Sequence, residues 1–279
     1  MTRTWMITGA SRGLGRAFTE IALEAGDNVV ATVRDPTALH ELVDTYPEAL
    51  LVLPLDVTDR TAVFAAVEQA LSLTGRLDVL VNNAGYGLAG GIEEVSEQQA
   101  RQQFEVNVFG ALWCTQAVLP VMRAQGSGHL FQISSIGGVA GFLNTGLYHG
   151  SKWALEGISE SLAQEVEGFG IGVTIVEPGP FRTDWNGDSM VRAAPLAAYD
   201  EVLAGRREAM SGAAARTQAG DPRRAGRALL QVLDSPTPPR RLLLGALAAD
   251  TAPKVYAERL AQWAQWDEVA RGADFPAGE

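Results

Sequence analysis

Six short apolar runs, each separated from the next by a stretch with helical periodicity, occupy the chain up to Glu177 and leave few ways to fold it. They are Thr4 to Thr8 (TWMIT), Asn28 to Val33 (NVVATV), Leu50 to Leu55, Asp78 to Val81, His129 to Ser134 (HLFQIS) and Gly172 to Glu177. Strands that alternate with helices are joined by crossovers, so each lies parallel to its neighbours and the helices cover the sheet. A run as evenly apolar as NVVATV suits a strand buried on both faces. The expected class is α/β, and 279 residues are within reach of one large domain of this type, spanning 1–279. Helices are expected at about Arg16 to Ala25, Pro36 to Asp44, Arg60 to Leu73, Glu97 to Arg123 and Tyr148 to Gly168. Pro36, Thr58-Asp59 and the Ser96/Gln99 capping box mark three of their starts.

Ligands of open parallel sheets lie beyond the carboxyl ends of the strands, and those ends are where the unusual residues gather. The first strand runs into Gly9-Ala-Ser-Arg-Gly13-Leu-Gly15 and then a helix. Strand, glycine turn and helix start form a cradle for phosphate, because the backbone can approach the anion and the helix aims N–H groups at it. The spacing is Gly-x-x-x-Gly-x-Gly, not the general Gly-x-Gly-x-x-Gly. Arg34 and Asp35 follow the second strand. An acid there holds a ribose 2′-hydroxyl and an arginine accommodates a 2′-phosphate, so both signals stand side by side. The third strand ends at Asp56, the fourth at Asn82-Asn83-Ala84-Gly85, the fifth at Ser134-Ser135 and the sixth at Pro178-Gly179-Pro180-Phe181-Arg182-Thr183.

Tyr148 and Lys152, four positions apart, share one helix face and stand one turn from each other. A phenol titrates near ~10, and lowering that by ~3 units means favouring the phenolate by roughly 4 kcal/mol. An ammonium within ~4 to 6 Å supplies part of that preference. Asn107 falls in the middle of a long helix, where asparagine is locally unfavourable. It is either exposed by chance or disturbs the backbone there, and periodicity does not decide.

A net charge of −11 and a pI of about 4.8 argue against nucleic acid and anionic membrane surfaces as partners. Cys114 is the only cysteine, which rules out an intramolecular disulfide and suits a reducing interior. No apolar run reaches the ~18 residues of a membrane span, and a strand begins by Thr4, so a cytoplasmic protein is expected. No metal-ligand spacing is present: His40 and His129 lack ligand-like neighbours, and Cys114 reads as a small hydrophobe within a helix.

Taken in order, Thr8-Gly9 through Gly15, Asp56, Asn82 to Gly85, Asn107, Ser135, Tyr148 with Lys152, and Pro178-Gly179 through Thr183 resemble the short-chain dehydrogenase/reductase family in its single-domain form. The resemblance covers about residues 4 to 183. It implies a doubly wound Rossmann fold with a seven-stranded parallel sheet, order 3-2-1-4-5-6-7, flanked by helices. It also implies roles. Tyr148 would donate a proton to the alkoxide formed as hydride reaches a carbonyl, and Ser135 would hydrogen-bond the carbonyl oxygen. Lys152 would lower the phenol's pKa and hold the nicotinamide ribose, and Asn107 would bend its helix around a water that relays protons to Lys152. The turn residues Gly9, Ser11, Arg12, Gly13, Leu14 and Gly15 would cradle the pyrophosphate, Asp56 with Val57 would contact the adenine, and Asn83, Ala84 and Gly85 would line the dinucleotide. Pro178, Gly179 and Phe181 would also bind the cofactor, with Thr183 fixing the carboxamide. NAD-dependent relatives carry an acid at the position of Val33, whereas Arg34 and Arg12 stand where NADP-dependent relatives carry bases. NADP(H) is therefore the expected cofactor, and Asp35 a helix-start residue.

Beyond Thr183 the alternation stops. Residues 184–220, with Trp185, Met190, Tyr199 and Met210 but no strand signal, are expected to form a mobile substrate flap with short helices, its apolar side chains pointing to an apolar substrate. Residues 221–279 read as helix to Leu233, a seventh strand from Arg240 to Gly245, and a last helix from Pro253 to Arg271. Tyr256, Leu260 and Trp263 stripe that helix, packed on the domain or on a partner subunit. His149 points about 100° away from Tyr148 and is expected to pack rather than meet substrate. The expected function is hydride transfer between NADP(H) and a ketone or aldehyde, or the secondary alcohol. The resemblance further implies a homodimer or homotetramer assembled through the helices of Asn107 and Tyr148. The alternative is a dinucleotide-binding sensor or scaffold without turnover, against which the joint presence of Ser135, Tyr148, Lys152 and Asn107 argues. A nucleotide-sugar epimerase would need a larger substrate region than the residues after Thr183 provide.

Overall fold

The computed structural model describes residues 2–183, 185, 187, 189–210 and 218–275. Its strands are β1 (Thr4–Thr8), β2 (Asn28–Val33), β3 (Leu50–Pro54), β4 (Val79–Asn82), β5 (Gly87–Ala89), β6 (Gly128–Ile133), β7 (Ile171–Pro178), β8 (Met190–Arg192) and β9 (Arg241–Leu244). Seven of them form one parallel sheet in the order β3-β2-β1-β4-β6-β7-β9, which is the expected 3-2-1-4-5-6-7. The helices are α1 (Gly13–Glu24), α2 (His40–Thr45), α3 (Arg60–Thr74), α4 (Glu97–Phe104), α5 (Ala111–Gln125), α6 (Gly146–Val166), α7 (Asp200–Ala209), α8 (Pro222–Leu233), α9 (Ala246–Gln265) and α10 (Asp267–Arg271).

Strand alternation divides the core into two layers. Trp5 and Ile7 of β1 face α1 and α8 with Phe18, Phe131 and Leu229, whereas Met6 faces α3 and α5 with Val63, Leu80, Cys114 and Val118. Each fully buried Leu, Val or Phe contributes roughly 1.5–3 kcal/mol, so both layers are needed to offset the ordering of the chain. Cys114 packs as the expected small hydrophobe, and burial pushes its thiol up to about 12.

Several elements differ from expectation. The helix expected from Glu97 to Arg123 is interrupted by a π-helical turn, Glu105–Gly110, that carries Asn107. This 29-residue stretch is long and apolar enough to cross a membrane, yet Cys114, Ala117, Val118 and Met122 spend its apolar side on the sheet. The segment from Pro36 begins as a 3-10 turn, Pro36–Leu39, before α2. In the flap, β8 pairs in parallel with β5 to make a second, two-stranded sheet, and α7 follows. Residues 184, 186, 188 and 211–217 of the flap lie outside the described residues. The last helix starts at Ala246, takes Pro253 into its interior and breaks at Trp266. Tyr256, Leu260 and Trp263 are exposed, so of the two packing alternatives the one on this chain is excluded. What seats α9 is Ala248 and Ala252, packed with Ile136 and Val139.

Candidate active site and dinucleotide cleft

The glycine turn is built against the end of β4. Gly9 has φ +66°, where a side chain is strained, and a Cβ there would stand 2.9 Å from the Ala84 Cα. At Gly15 a Cβ would lie 2.4 Å from both Asn83 Nδ2 and the Gly9 carbonyl oxygen. Thr8 fastens the two segments: its Oγ1 accepts the N–H groups of Asn83 and Ala84, both at 3.0 Å, and donates to the Val81 carbonyl at 3.3 Å. Asn83 Nδ2 returns bonds to the Thr8 and Gly9 carbonyls at 2.8 and 3.1 Å. Thr8 was visible in the motif only as its first letter, and a hydroxyl at a strand's last position is the signal for this role. Asn82 faces the other way, binding the Ala111 carbonyl, Thr115 and Gln132 in the core.

From this turn a cleft of about 810 Å³ runs across the carboxyl edge of the sheet. Ser11, Arg12, Gly13, Leu14, Arg34, Asp56, Val57, Ala84, Gly85, Ser135, Tyr148, Lys152, Pro178, Gly179, Phe181 and Thr183 all line it, as do Gly9 and Asn83. Of the site residues expected from sequence, only Gly15 and Asn107 stand behind the wall. Arg12 and Arg34 are exposed at the cleft, and their guanidinium groups make no hydrogen bond or ion pair among the described residues. Asp35 does not reach it. Its carboxylate accepts the Thr37 N–H at 3.0 Å and the Thr37 hydroxyl at 2.7 Å, capping the Pro36–Leu39 turn, and these bonds hold its pKa below the ordinary value. A backbone cradle free of side chains, with two unengaged guanidinium groups beside it, fits a dinucleotide.

At the other end of the cleft Tyr148, 7% exposed, shares a hydrogen bond with Ser135, whose Oγ also accepts the Gly137 N–H at 3.0 Å. Burial pushes the phenol up to about 12 against the opposing pull of the Ser135 bond. Lys152 Nζ lies 5.9 Å from the Tyr148 ring centroid and donates to the Ile133 carbonyl at 2.7 Å. In this arrangement burial outweighs the Ser135 bond, and the phenol is held protonated rather than lowered toward neutrality. Burial also draws Lys152 down to about 8, opposed by the negative charge of Glu156 one turn further along α6. Glu156 accepts from the Ser134 hydroxyl and pairs with Arg241, which also binds Glu177 and Glu160. Sequence reading missed this cluster, although Lys152-x-x-x-Glu156 had helical spacing.

Asn107 resolves to the backbone-disturbing alternative. Its Nδ2 donates to the Tyr86 carbonyl and to Ser151 Oγ, and its Oδ1 accepts the Tyr86 N–H, each at 3.1 Å. Ser151 in turn donates to the Tyr148 carbonyl at 2.7 Å, so the π-helical turn is tied to the helix that carries the tyrosine. His149 packs as expected and also lines the cleft. Its Nδ1 accepts the Phe142 N–H at 3.2 Å, which places the proton on Nε2, 3.1 Å from Thr145 Oγ1. Burial, aided by Arg206, draws its pKa to about 4, so it is neutral at ordinary pH. His129 is equally neutral and bonded to Thr174 at 3.0 Å. The flap does reach the site: Trp185 lies 5.1 Å from Tyr148, centroid to centroid, and packs with Ala89, Met190 and Met210.

A family model described as short chain dehydrogenase matches residues 3–192. The chain is 40% identical to oxidoreductase BOA17 of Botryotinia fuckeliana over 97% of its own length and 98% of that protein's. It superposes on a short-chain dehydrogenase from Streptomyces avermitilis with a TM-score of 0.93 and 41% identity, covering 99% of this chain and 100% of that one. Two more distant structures share the fold and hold cofactors. One from Burkholderia phymatum, in complex with NAD, has a TM-score of 0.79 and 24% identity, covering 100% of this chain and 98% of that one. One from Burkholderia cenocepacia, in complex with NADP, has a TM-score of 0.74 and 25% identity, covering 95% and 97%.

Proposed function

Because this chain belongs to the short-chain dehydrogenase family, we propose that it is an NADP(H)-dependent oxidoreductase interconverting a ketone or aldehyde with the corresponding alcohol. The observation that carries this reading is the meeting of Ser135, Tyr148 and Lys152 at one end of a cleft whose other end is the glycine turn. The dinucleotide, when bound, supplies or accepts the hydride. Tyr148 holds its proton at neutral pH, as a donor to a developing alkoxide must, and the alkoxide is the far stronger base. Oxidation of the alcohol runs the same path in reverse, with the phenolate taking the proton that the phenol gives in reduction. Ser135, bonded to the phenol, is the group beside it for the carbonyl oxygen to meet. Lys152 and Asn107 fix the backbone on either side, at Ile133 and Tyr86.

The preference for NADP(H) is supported by the free guanidinium groups of Arg12 and Arg34 and by the engagement of Asp35 elsewhere. An apolar substrate is supported by Trp185 and Met210 in the cleft wall. The same reading makes the protein a cytoplasmic homodimer or homotetramer, in keeping with exposed Phe109 and Trp153 and the stripe on α9.

The test follows NADPH absorbance with steroid, aryl, quinone and keto-ester carbonyls, wild type beside Tyr148→Phe. Consumption that falls by about 10²- to 10⁴-fold in the variant while NADPH binding persists is the expected result. Undiminished turnover by Tyr148→Phe would sink the proposal.

A further inference from the structure

α7 crosses the mouth of the cleft, presenting Arg206, Ala209 and Met210 to its inner wall and Val202 and Leu203 to an apolar groove beside it. The wall beyond Tyr148 carries Phe142, Trp185, Val191 and Met210, with Thr145, Ser189 and Gln218 as neutral polar groups among the described residues. Two arginines stand next to each other on this helix and have opposite fates. Arg207 is paired with the buried Glu94 and with Asp200. Arg206, half-buried, has no carboxylate within 4.0 Å among the described residues. Its Nε donates to the Leu143 carbonyl at 3.4 Å, and the guanidinium lies 5.9 Å from the centroid of the Phe142 ring.

Drawing a guanidinium against an apolar wall costs solvation, and a chain with 33 acidic residues against 22 basic ones has acids to spare for it. Its charge is felt inside the cleft, where it helps keep His149 neutral. Arg12, in the glycine turn, and Arg34, just after β2, are the other arginines lining the cleft among the described residues. Arg206 therefore serves the opposite end. Phe142 meets His149 at 5.5 Å and His149 meets Tyr148 at 5.8 Å, so the guanidinium is separated from the phenol by two ring contacts.

Resting on the reductase reading above, we infer that the substrate is a carbonyl compound with an apolar body and a carboxylate set apart from the reacting carbonyl, and that Arg206 receives that carboxylate. Arginine suits the task because its planar fork binds a carboxylate through two parallel N–H donors.

The probes are benzoylpropionate, an aryl ketone with a remote carboxylate, and its methyl ester, which keeps the shape and removes the charge. Wild type and Arg206→Met are compared by steady-state NADPH consumption. Binding of the same probes is measured by calorimetry in the presence of NADPH with Tyr148→Phe as background, so that turnover is suppressed. The expected result is a preference for the acid over the ester in kcat/KM that falls about tenfold in Arg206→Met, through KM, with partial recovery in Arg206→Lys. Equal losses on both probes, or a wild type indifferent to the charge, overturn the inference. If neither probe is turned over, binding decides. Benzoylpropionate bound about tenfold more weakly once Arg206→Met is added keeps the subsite, and the reductase reading is then judged separately by the wider carbonyl panel. Equal binding, or none, overturns the subsite as well.

Discussion

The glycine-turn end of the cleft and its flap end are held by different kinds of contact. At the first, Thr8, Asn83 and the Gly9 backbone form a closed set of hydrogen bonds among residues at two strand ends. At the second, the side chains of Trp185, Met190 and Met210 pack on Ala89, while the backbone bonds that hold β8 to β5, and those from Arg192 to the Met190 and Met210 carbonyls, ask nothing of those side chains. Directional bonds between fixed backbones tolerate little change, whereas apolar contacts accept any side chain of suitable volume. Cofactor binding is thus tied to particular residues, and the shape of the substrate pocket to what packs there.

The substitution with the largest expected effect is Gly9→Ala. A positive φ costs about 1–3 kcal/mol for an ordinary residue, and the new Cβ would press on the Ala84 backbone. Thermal unfolding should shift down by several degrees, and NADPH titration should show little binding. A variant with wild-type affinity would break the comparison at its firmer end. Arg34→Ala comes next: loss of a charge-assisted hydrogen bond worth ~1.5–3 kcal/mol should weaken NADPH by roughly ten- to a hundredfold and leave NADH unchanged. Unaltered NADPH affinity would remove the assignment of that arginine.

Trp185→Ala sharpens the contrast from the other side. It should alter KM and the order of preference among ketones by about three- to tenfold while NADPH affinity holds, because one to two kcal/mol is what part of a pocket wall contributes. Equal effects on cofactor and substrate would show that the two ends are not separable.

The smallest effect concerns Glu156. Its folded-state pKa is raised to about 7 from an ordinary value of 4.5, so the folded protein holds the extra proton between those values. The stabilisation this gives is complete below about pH 4.5 and is lost as pH rises through about 7. In Glu156→Gln, differential scanning calorimetry should therefore show a shallower fall in Tm between pH 5 and pH 8. The same variant removes the negative charge that opposes the burial of Lys152, so the lysine should lose its proton at lower pH, and the expected alkaline limb of NADPH consumption should move down with it. A limb that stays in place would show that Lys152 does not depend on Glu156.

The same division explains what could be read from the chain before folding. The seven strands of the large sheet were legible as short apolar runs between helical stretches, and their order followed from the family resemblance. Most of the expected site residues that line the cleft sit at a strand end or on the face of one helix, whereas Phe142 and Arg206, which also line it, carried no such signal. Asn107 was visible as an oddity, but a π-helical turn leaves no trace in a 3.6-residue period. The pairing of Gly87–Ala89 with Met190–Arg192 was hidden because three residues make too short a pattern and their partners lie a hundred positions apart. Glu156 was passed over because its burial depends on Arg241, a residue of the last strand. Pro253 misled: proline suits the first turn of a helix, but here α9 had already begun at Ala246.

The Thr8 fastening has a consequence for the order of events during synthesis. Thr8 and its partners Asn83 and Ala84 are some 75 residues apart, and β1 pairs with β4 across the same span. A nascent chain that has already made β1, the glycine turn and α1 possesses the whole phosphate motif but only one wall of the groove. The nucleotide has nothing to hold until β4 is in register, so it rewards the slow, long-range step of folding and not the fast local ones. A ligand present at a hundredfold excess over its Kd adds about 2.7 kcal/mol to the folded state alone. A dinucleotide bound at this turn would then act as a checkpoint on the completed sheet.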